Sequence, residues 1–199
     1  MNTSSICEYI EKNFSEKRKI HTEGVRQTAI ALARQYGNAE ADPEELVRKA
    51  ELAALYHDLY RGVSVDVINY YVKHLELDEK RYRNNPNLAH GKIAAVVIQR
   101  DFGVTDPDII QAVSYHTTGR PEMSLLEKII YIADAIEPNR FYPGVDALRE
   151  TAAEDLDRAV LQSLTNTINF VRGENRYLDE DTVLAKEYFE KIIKKGEKI

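Results

Sequence analysis

Apolar residues along the chain recur at helical spacing, and no run of alternating apolar and polar residues with hairpin punctuation interrupts them. The pattern predicts an all-α fold. From about residue 20, starting at His21, to Tyr36, the series Val25, Ala29, Leu32 and Tyr36 makes one stripe. Gly37 follows where a left-handed cap is expected. Asp42, Pro43 and Glu45 supply an N-cap, a first-turn proline and a capping-box acid for a helix running through Ala50, Ala53 and Ala54 to His57 and Asp58. Asp106 and Pro107 repeat the start signal for a short helix that carries Ile109, Ile110 and Val113 up to His116 and ends at Gly119. Leu125 to Ile136 forms the next helix, stopped by Pro138, and its stripe of Leu126 and Ile130 continues one turn on to Asp134. A carboxylate therefore sits on an apolar face. Leu148, Ala152, Leu156, Val160, Leu164 and Ile168 recur every four residues, which predicts one long helix ending near Gly173. An amphipathic helix from about Thr182 to Lys195 closes the C-terminal region, 146–195. Asp78 to Asn87 is polar and reads as a loop. No linker and no internal repeat divides the chain, so residues 1–199 are expected to form a single helical domain.

Composition narrows the function classes. With 43% hydrophobic and 30% charged residues, the chain belongs with ordinary globular domains. A net charge of −6 argues against holding nucleic acid by phosphate neutralisation, which needs a basic face. A polyanionic ligand needs local help instead, from metal ions and a few converging arginines that outweigh an acidic mean field at short range. Cys7 is the only cysteine, which excludes an intrachain disulfide, and no stretch approaches the length of an apolar membrane span. A soluble cytoplasmic protein without membrane or nucleic-acid partners is expected.

Chemistry concentrates in the histidines. His21, His57, His90 and His116, four of the five, fall at helix ends or on inward faces. The His57–Asp58 dipeptide ends an alanine-lined helix, where a carboxylate and an imidazole are costly to bury unless they are paired or bind metal. On the dipeptide alone, a histidine complementing the helix dipole is the simpler reading. Together with Asp134, the set offers mixed nitrogen and oxygen donors without thiolates. Those donors suit iron, manganese or zinc better than magnesium or calcium. The spacings are long and unlike a local HExxH element, so they do not by themselves show that these side chains meet. His74, beside Lys73, reads as a surface or packing residue.

His21, the His57–Asp58 pair and Asp134 resemble the H, HD, D signature of the HD superfamily of metal-dependent phosphohydrolases. More narrowly, LAHGKIAA (Leu88–Ala95), HTTGR (His116–Arg120), YIADAIEPNR (Tyr131–Arg140) and FYPGVDALR (Phe141–Arg149) resemble the YqeK-type symmetrical bis(5'-nucleosyl)-tetraphosphatases, over a region of about 18–160. The resemblance implies an HD-domain helical bundle with a metal site in its core. It also implies hydrolysis of diadenosine tetraphosphate, a dinucleoside polyphosphate, to ADP at an iron centre of one or two ions, manganese or another divalent metal being the alternative. By the same resemblance His21, His57, Asp58 and Asp134 are the core ligands, and Asp58 bridges where two metals are held. His90 and His116 either complete a second metal or hydrogen-bond the phosphate, and both roles stay open. Arg61, Arg140 and Arg18 are the candidates to stabilise phosphoryl charge, Arg61 being grouped with Asp58 as catalytic. Thr117, Thr118 and Gly119 are candidate phosphate contacts, against the simpler reading of a helix-stopping turn. Tyr60 departs from the small residue usual at its position, which is expected to reshape the pocket; Tyr82 or Tyr142 could stack an adenine, but single aromatics at helical spacing read more simply as core or rim packing. The competing functions are an HD phosphohydrolase acting on another nucleotide and a non-catalytic nucleotide-sensing factor. The apolar stripes are compatible with a homodimer and serve equally well as an intramolecular core.

Overall fold

The computed structural model describes residues 3–196, which contain eleven α-helices and no strand. The helices are α1 (Ser4–Asn13), α2 (Glu16–Tyr36), α3 (Pro43–Tyr56), α4 (Val65–His74), α5 (Glu79–Tyr82), α6 (Pro86–Phe102), α7 (Pro107–Tyr115), α8 (Leu125–Ile136), α9 (Val145–Glu154), α10 (Leu156–Gly173) and α11 (Glu180–Gly196). The all-α class expected from periodicity is the fold observed. At the centre, α2 packs on α3 and α8, α3 on α7 and α8, and α7 on α6; α10 joins α8 to α9 and α11. None of the helices among the described residues is long and apolar enough to cross a membrane.

Close packing of α2 and α3 follows from small side chains: Ala29 and Ala33 on α2, and Ala50, Ala53 and Ala54 on α3, are all fully buried. With no bulk at these positions the helix backbones approach closely, and the residues that end α3, His57 and Asp58, are carried into the interior. A second apolar cluster of Ile68, Val72, Tyr82, Ala89, Ile93 and Val97 joins α4 and α5 to one side of α6. The other side of α6 gives Ala94, Ala95 and Ile98 to the main core. Because α6 is apolar on both sides it has no single stripe, and the stripe pattern did not predict it.

Several local expectations change. Helix α2 starts at Glu16, so His21 lies in its second turn rather than at its start. Gly37 has φ −83° and opens a 3₁₀ turn instead of forming a left-handed cap; a Cβ there would stand 2.9 Å from Leu46 Cδ2, so steric room is what calls for glycine. Asp42 caps α3 by accepting the Glu45 N–H, but the Glu45 carboxylate accepts from Arg48, so the reciprocal half of that box is missing. The complete capping box forms at Ser124 and Glu127, opening α8. Glu79–Tyr82 forms one helical turn inside the expected 78–87 loop, capped by Asp78.

The long C-terminal helix is two helices. Asp155 is extended, with φ −150° and ψ 110°, and its carboxylate accepts the Arg158 N–H at 3.0 Å as the N-cap of α10. The four-residue period survives the break because Leu148 and Ala152 before it, and Leu156 and Val160 after it, are all buried in the main core. Asp155→Ala removes this cap and is expected to cost about 1 kcal/mol. A lower urea midpoint with an unchanged slope is the expected result.

Candidate metal centre

Five helices deliver the candidate ligands: α2 carries His21, α3 ends at His57 and Asp58, α6 carries His90, α7 ends at His116, and α8 carries Asp134. His57, His90 and His116 are buried, as is Asp58, while His21 and Asp134 are partly covered. Each imidazole directs Nδ1 at a group that can only accept. His57 Nδ1 lies 2.6 Å from the Ala54 carbonyl, His116 Nδ1 2.7 Å from that of Val113, and His90 Nδ1 3.2 Å from that of Pro86. His21 Nδ1 lies 3.0 Å from Glu137 Oε1. These partners place a proton on Nδ1 of each ring and turn Nε2 inward, its lone pair free for a metal whenever that nitrogen carries no second proton; on His21 a second proton would meet Asp134.

The four Nε2 atoms turn toward two carboxylates. Asp58 Oδ1 is 3.1 Å from His90 Nε2 and 3.9 Å from His116 Nε2, and its other oxygen, Oδ2, is 3.7 Å from both His57 Nε2 and His21 Nε2. Asp134 Oδ1 stands 3.2 Å from His21 Nε2. Five of the six candidate ligands thus form two overlapping groups, His21–His57–Asp58 and Asp58–His90–His116, with Asp58 common to both, and Asp134 stands beside the first group at His21. His57 Nε2 is fully buried with no hydrogen-bond partner, and the Nε2 atoms of His90 and His116 face one another at 2.9 Å. Two bare nitrogens repel unless a proton or a cation lies against them. A buried imidazole nitrogen without a partner carries a similar desolvation cost. The donor set therefore fits a divalent cation of the mixed nitrogen–oxygen type.

Electrostatics keep the ligands in their binding forms. Burial works against ionising Asp58, but the neighbouring imidazoles of His57 and His90 hold its carboxyl well below the usual range. Burial likewise opposes ionisation of Asp134, and the hydrogen bond from His21 and the charge of Arg140 outweigh it. Burial pushes His116 down to about 3 and lowers His57, so both rings stay neutral at physiological pH. His21 differs: burial disfavours its charge, yet hydrogen bonds to Asp134 and Glu137 raise its pKa.

The candidate phosphate residues separate into two groups. Arg18 donates from Nη2 to the Asp58 carbonyl, lies 3.7 Å over the Phe14 ring, and has a buried Nε without a partner. Arg140 donates from Nε to the Asp134 carbonyl at 2.8 Å and from Nη2 to its carboxylate. Arg61 is exposed in the turn after Asp58, near enough for its charge to lower the Arg18 pKa alongside burial. Thr117 Oγ1 donates to His116 Nε2 at 3.2 Å and so reaches the cluster. Thr118 and Gly119 have other duties: the Thr118 hydroxyl donates to the Gly119 carbonyl, and the Gly119 N–H closes α7 on Tyr115 O at 2.8 Å. A Cβ on Gly119, at φ +65°, would lie 3.4–3.6 Å from Leu164, Met123 and Ala185, the arrangement of a helix-stopping turn.

Three further sequence expectations resolve as packing. Tyr60 donates its hydroxyl to Tyr71 at 2.8 Å and packs against both apolar clusters, which explains a large side chain there. Tyr82 is buried in the second cluster, so its ring is not open to a base. His74 stacks on Tyr70 at the surface.

Sequence reasoning missed Glu137, Asn139, Arg149 and Gly91. Gly91 lets α6 approach α7, since a Cβ there would lie 3.0 Å from His116 Cε1 and from the Val113 carbonyl. Glu137 is 1% exposed at the C-terminal end of α8. A carboxylate at that end opposes the helix dipole, and this was the available signal that it has a specific partner.

The HD domain model matches residues 18–139, and the chain belongs to the HD domain family. It is 41% identical to the symmetrical bis(5'-nucleosyl)-tetraphosphatase of Bacillus subtilis, over 93% of this chain and 96% of that one. The relative of the same name from Halalkalibacterium halodurans is 39% identical over 92% and 94%. A Clostridium acetobutylicum crystal structure, described as a predicted HD superfamily hydrolase involved in NAD metabolism, superposes with a TM-score of 0.85 at 38% identity, covering 96% of this chain and 98% of that one.

Asp58→Ala removes the one ligand common to both groups. Elemental analysis of the purified variant is expected to find metal occupancy reduced at least tenfold, a loss of about 1.4 kcal/mol or more in binding.

Proposed function

We propose that this chain is a cytoplasmic enzyme that hydrolyses diadenosine tetraphosphate and related dinucleoside polyphosphates symmetrically, giving two nucleoside diphosphates, at an iron centre. The observation that carries the reading is the match, over nearly the whole length of both chains, to relatives named for that activity. The complete and mutually oriented ligand cluster supports it, because a silent nucleotide sensor has no use for six converging donors. The exposed lone thiol of Cys7 suits a reducing compartment.

In this reading His21, His57, Asp58 and Asp134 would hold one ion, and the other Asp58 oxygen, Oδ1, faces a group formed by His90 and His116. That group would take either a second ion on its bare Nε2 atoms or, with a further proton on one Nε2 to donate, a phosphate oxygen. When bound, such an ion supplies a water acidic enough to give hydroxide near neutral pH and positive charge against the phosphoryl oxygens. Arg18, Arg61 and Arg140 bind the polyphosphate. A guanidinium keeps its charge at any relevant pH and offers five N–H donors, of which Arg140 uses two on Asp134. Thr117 adds a hydroxyl beside His116. Water adds to one central phosphorus, the bridging bond to the other central phosphate breaks, and each half leaves as a nucleoside diphosphate. Charge that grows on the equatorial oxygens and the leaving phosphate falls among these arginines.

A nucleobase needs an apolar face within reach of the phosphate arginines. Phe141 directly follows Arg140 and at 86% exposed is the most exposed large apolar side chain described. Its neighbour Tyr142 holds the turn by donating its hydroxyl to the Ala135 carbonyl at 2.9 Å. We assign Phe141 as the base-stacking platform. Phe141→Ala is expected to raise KM for diadenosine tetraphosphate about tenfold with kcat little changed, since one base–aromatic stack is worth about 1–3 kcal/mol. Inorganic tetraphosphate, which has no base, is expected to be turned over equally by both proteins.

The decisive assay is product analysis by chromatography with metal-loaded protein. ADP alone is the expected product from diadenosine tetraphosphate. A mixture of ATP and AMP refutes symmetrical cleavage, and nucleotide binding without turnover under iron or manganese favours the sensor. Elemental analysis of protein purified without added metal tests the iron assignment.

A further inference from the structure

The turn that leaves α8 is built around a group that neither binds nor reacts in the mechanism above. Glu137, buried to 1% exposure, accepts the His21 Nδ1–H on Oε1 at 3.0 Å. Its other oxygen, Oε2, accepts the Asn139 backbone N–H at 2.7 Å and the Asn139 Nδ2 at 3.0 Å. Both oxygens are thereby committed and the carboxylate is fixed in one rotamer. Across from it, α2 has a glycine: a Cβ on Gly24 would stand 2.4 Å from Glu137 Oε2 and 3.2 Å from its Cδ. The glycine sits one helical turn after His21, where it leaves the space that the carboxylate fills. Beneath the turn, Arg149 donates to the carbonyls of Ile136, Glu137 and Arg140 at 2.9–3.0 Å and so clamps the backbone that carries Glu137.

We infer that Glu137 is the positioning residue of His21: seated in the cleft that Gly24 leaves and held by Asn139 and the Arg149-clamped turn, it fixes the ring so that Nε2 faces Asp58 and Asp134. The other three imidazoles receive this service from backbone carbonyls of their own helices, three or four residues back. His21 is the exception, because its ring faces away from α2 toward α8 and needs an acceptor from another element. A carboxylate in that role both selects the tautomer and makes the ligand nitrogen more basic, and loss of such a partner typically weakens metal binding about 10–100-fold.

The inference rests on the reading of His21 as a metal ligand, and two measurements keep the two claims apart. Metal-free protein is titrated with manganese(II), the free ion being followed by electron paramagnetic resonance. Separately, the imidazole nitrogens of 15N-histidine-labelled metal-free protein are observed by NMR. In Glu137→Ala and Gly24→Ala, manganese affinity is expected to fall at least tenfold, with Glu137→Gln between these and the wild type. The His21 ring is expected to lose its single Nδ1–H tautomer, while His57, bonded to the Ala54 carbonyl, keeps its own and reports an intact fold. If His21→Ala lowers manganese affinity but Glu137→Ala leaves both the affinity and the His21 tautomer unchanged, the positioning role is wrong. If His21→Ala also leaves the affinity unchanged, the ligand reading itself fails. Loss of the His57 signature in Glu137→Ala assigns that residue to folding, and Gly24→Ala and Glu137→Gln then decide by the same two readouts.

Discussion

Keeping Asp58 ionised inside a helical core is the constraint around which the rest of the molecule is arranged. An isolated buried carboxylate takes up a proton, because desolvation costs several kcal/mol that nothing repays. Here each carboxylate oxygen faces two imidazole nitrogens, and the carboxyl stays well below its usual range against the pull of burial. That environment requires four helix segments, α2, α3, α6 and α7, to meet at one point. The close approaches that permit it are visible as missing side-chain bulk: the alanines of α3 against α2, Gly91 against His116, and Gly24 against Glu137. Small residues here are a condition of the chemistry as much as of packing.

The same cluster resolves an apparent contradiction of charge. A chain of net charge −6 has no long-range attraction for a polyphosphate, yet at short range the balance is local. Arg18 and Arg140 each reach a backbone carbonyl of a ligand-bearing residue, Asp58 and Asp134 respectively, and Arg140 reaches the carboxylate too. Arg61 lies in the turn that follows the first of these. Positive groups are thus tied to the backbone around the cluster. A polyphosphate held at this point would need no basic patch elsewhere.

How much of this was legible in the sequence depended on the range of the signal. The bounds of α8 followed from Leu125, Ile136 and Pro138, because an amphipathic stripe ended by a proline is a local statement. Helix α6 escaped the stripe pattern because it is buried on two sides. The break at Asp155 was hidden by a period that continues through it, although an aspartate at that point was itself a capping signal. The six candidate ligands were nominated by family resemblance and by their inward placement, while their meeting was beyond spacing arguments, since it depends on which helices touch. Glu137 and Gly24 were missed for the same reason: they are 113 positions apart in the numbering, and neither is unusual except in relation to the other.

Motif arginines illustrate why a residue inside a signature is not thereby a contact. HTTGR and ADAIEPNR each end in one, and the sequence nominates only the second, Arg140, for phosphate. Arg120 forms a two-pronged pair with Glu127, Nε to Oε1 at 2.6 Å and Nη2 to Oε2 at 2.8 Å, and Glu127 is 1% exposed and also closes the capping box of α8. A charge bound bidentately to a buried carboxylate cannot leave it for a phosphate without stranding that carboxylate, at a cost of about 3–5 kcal/mol. Arg140 pairs with a carboxylate that is itself a candidate ligand, so a cation bound there would compete for the same oxygens and free guanidinium donors for the substrate. The first arginine therefore braces the helix that carries Asp134, while the second holds its donors on a candidate ligand, Asp134.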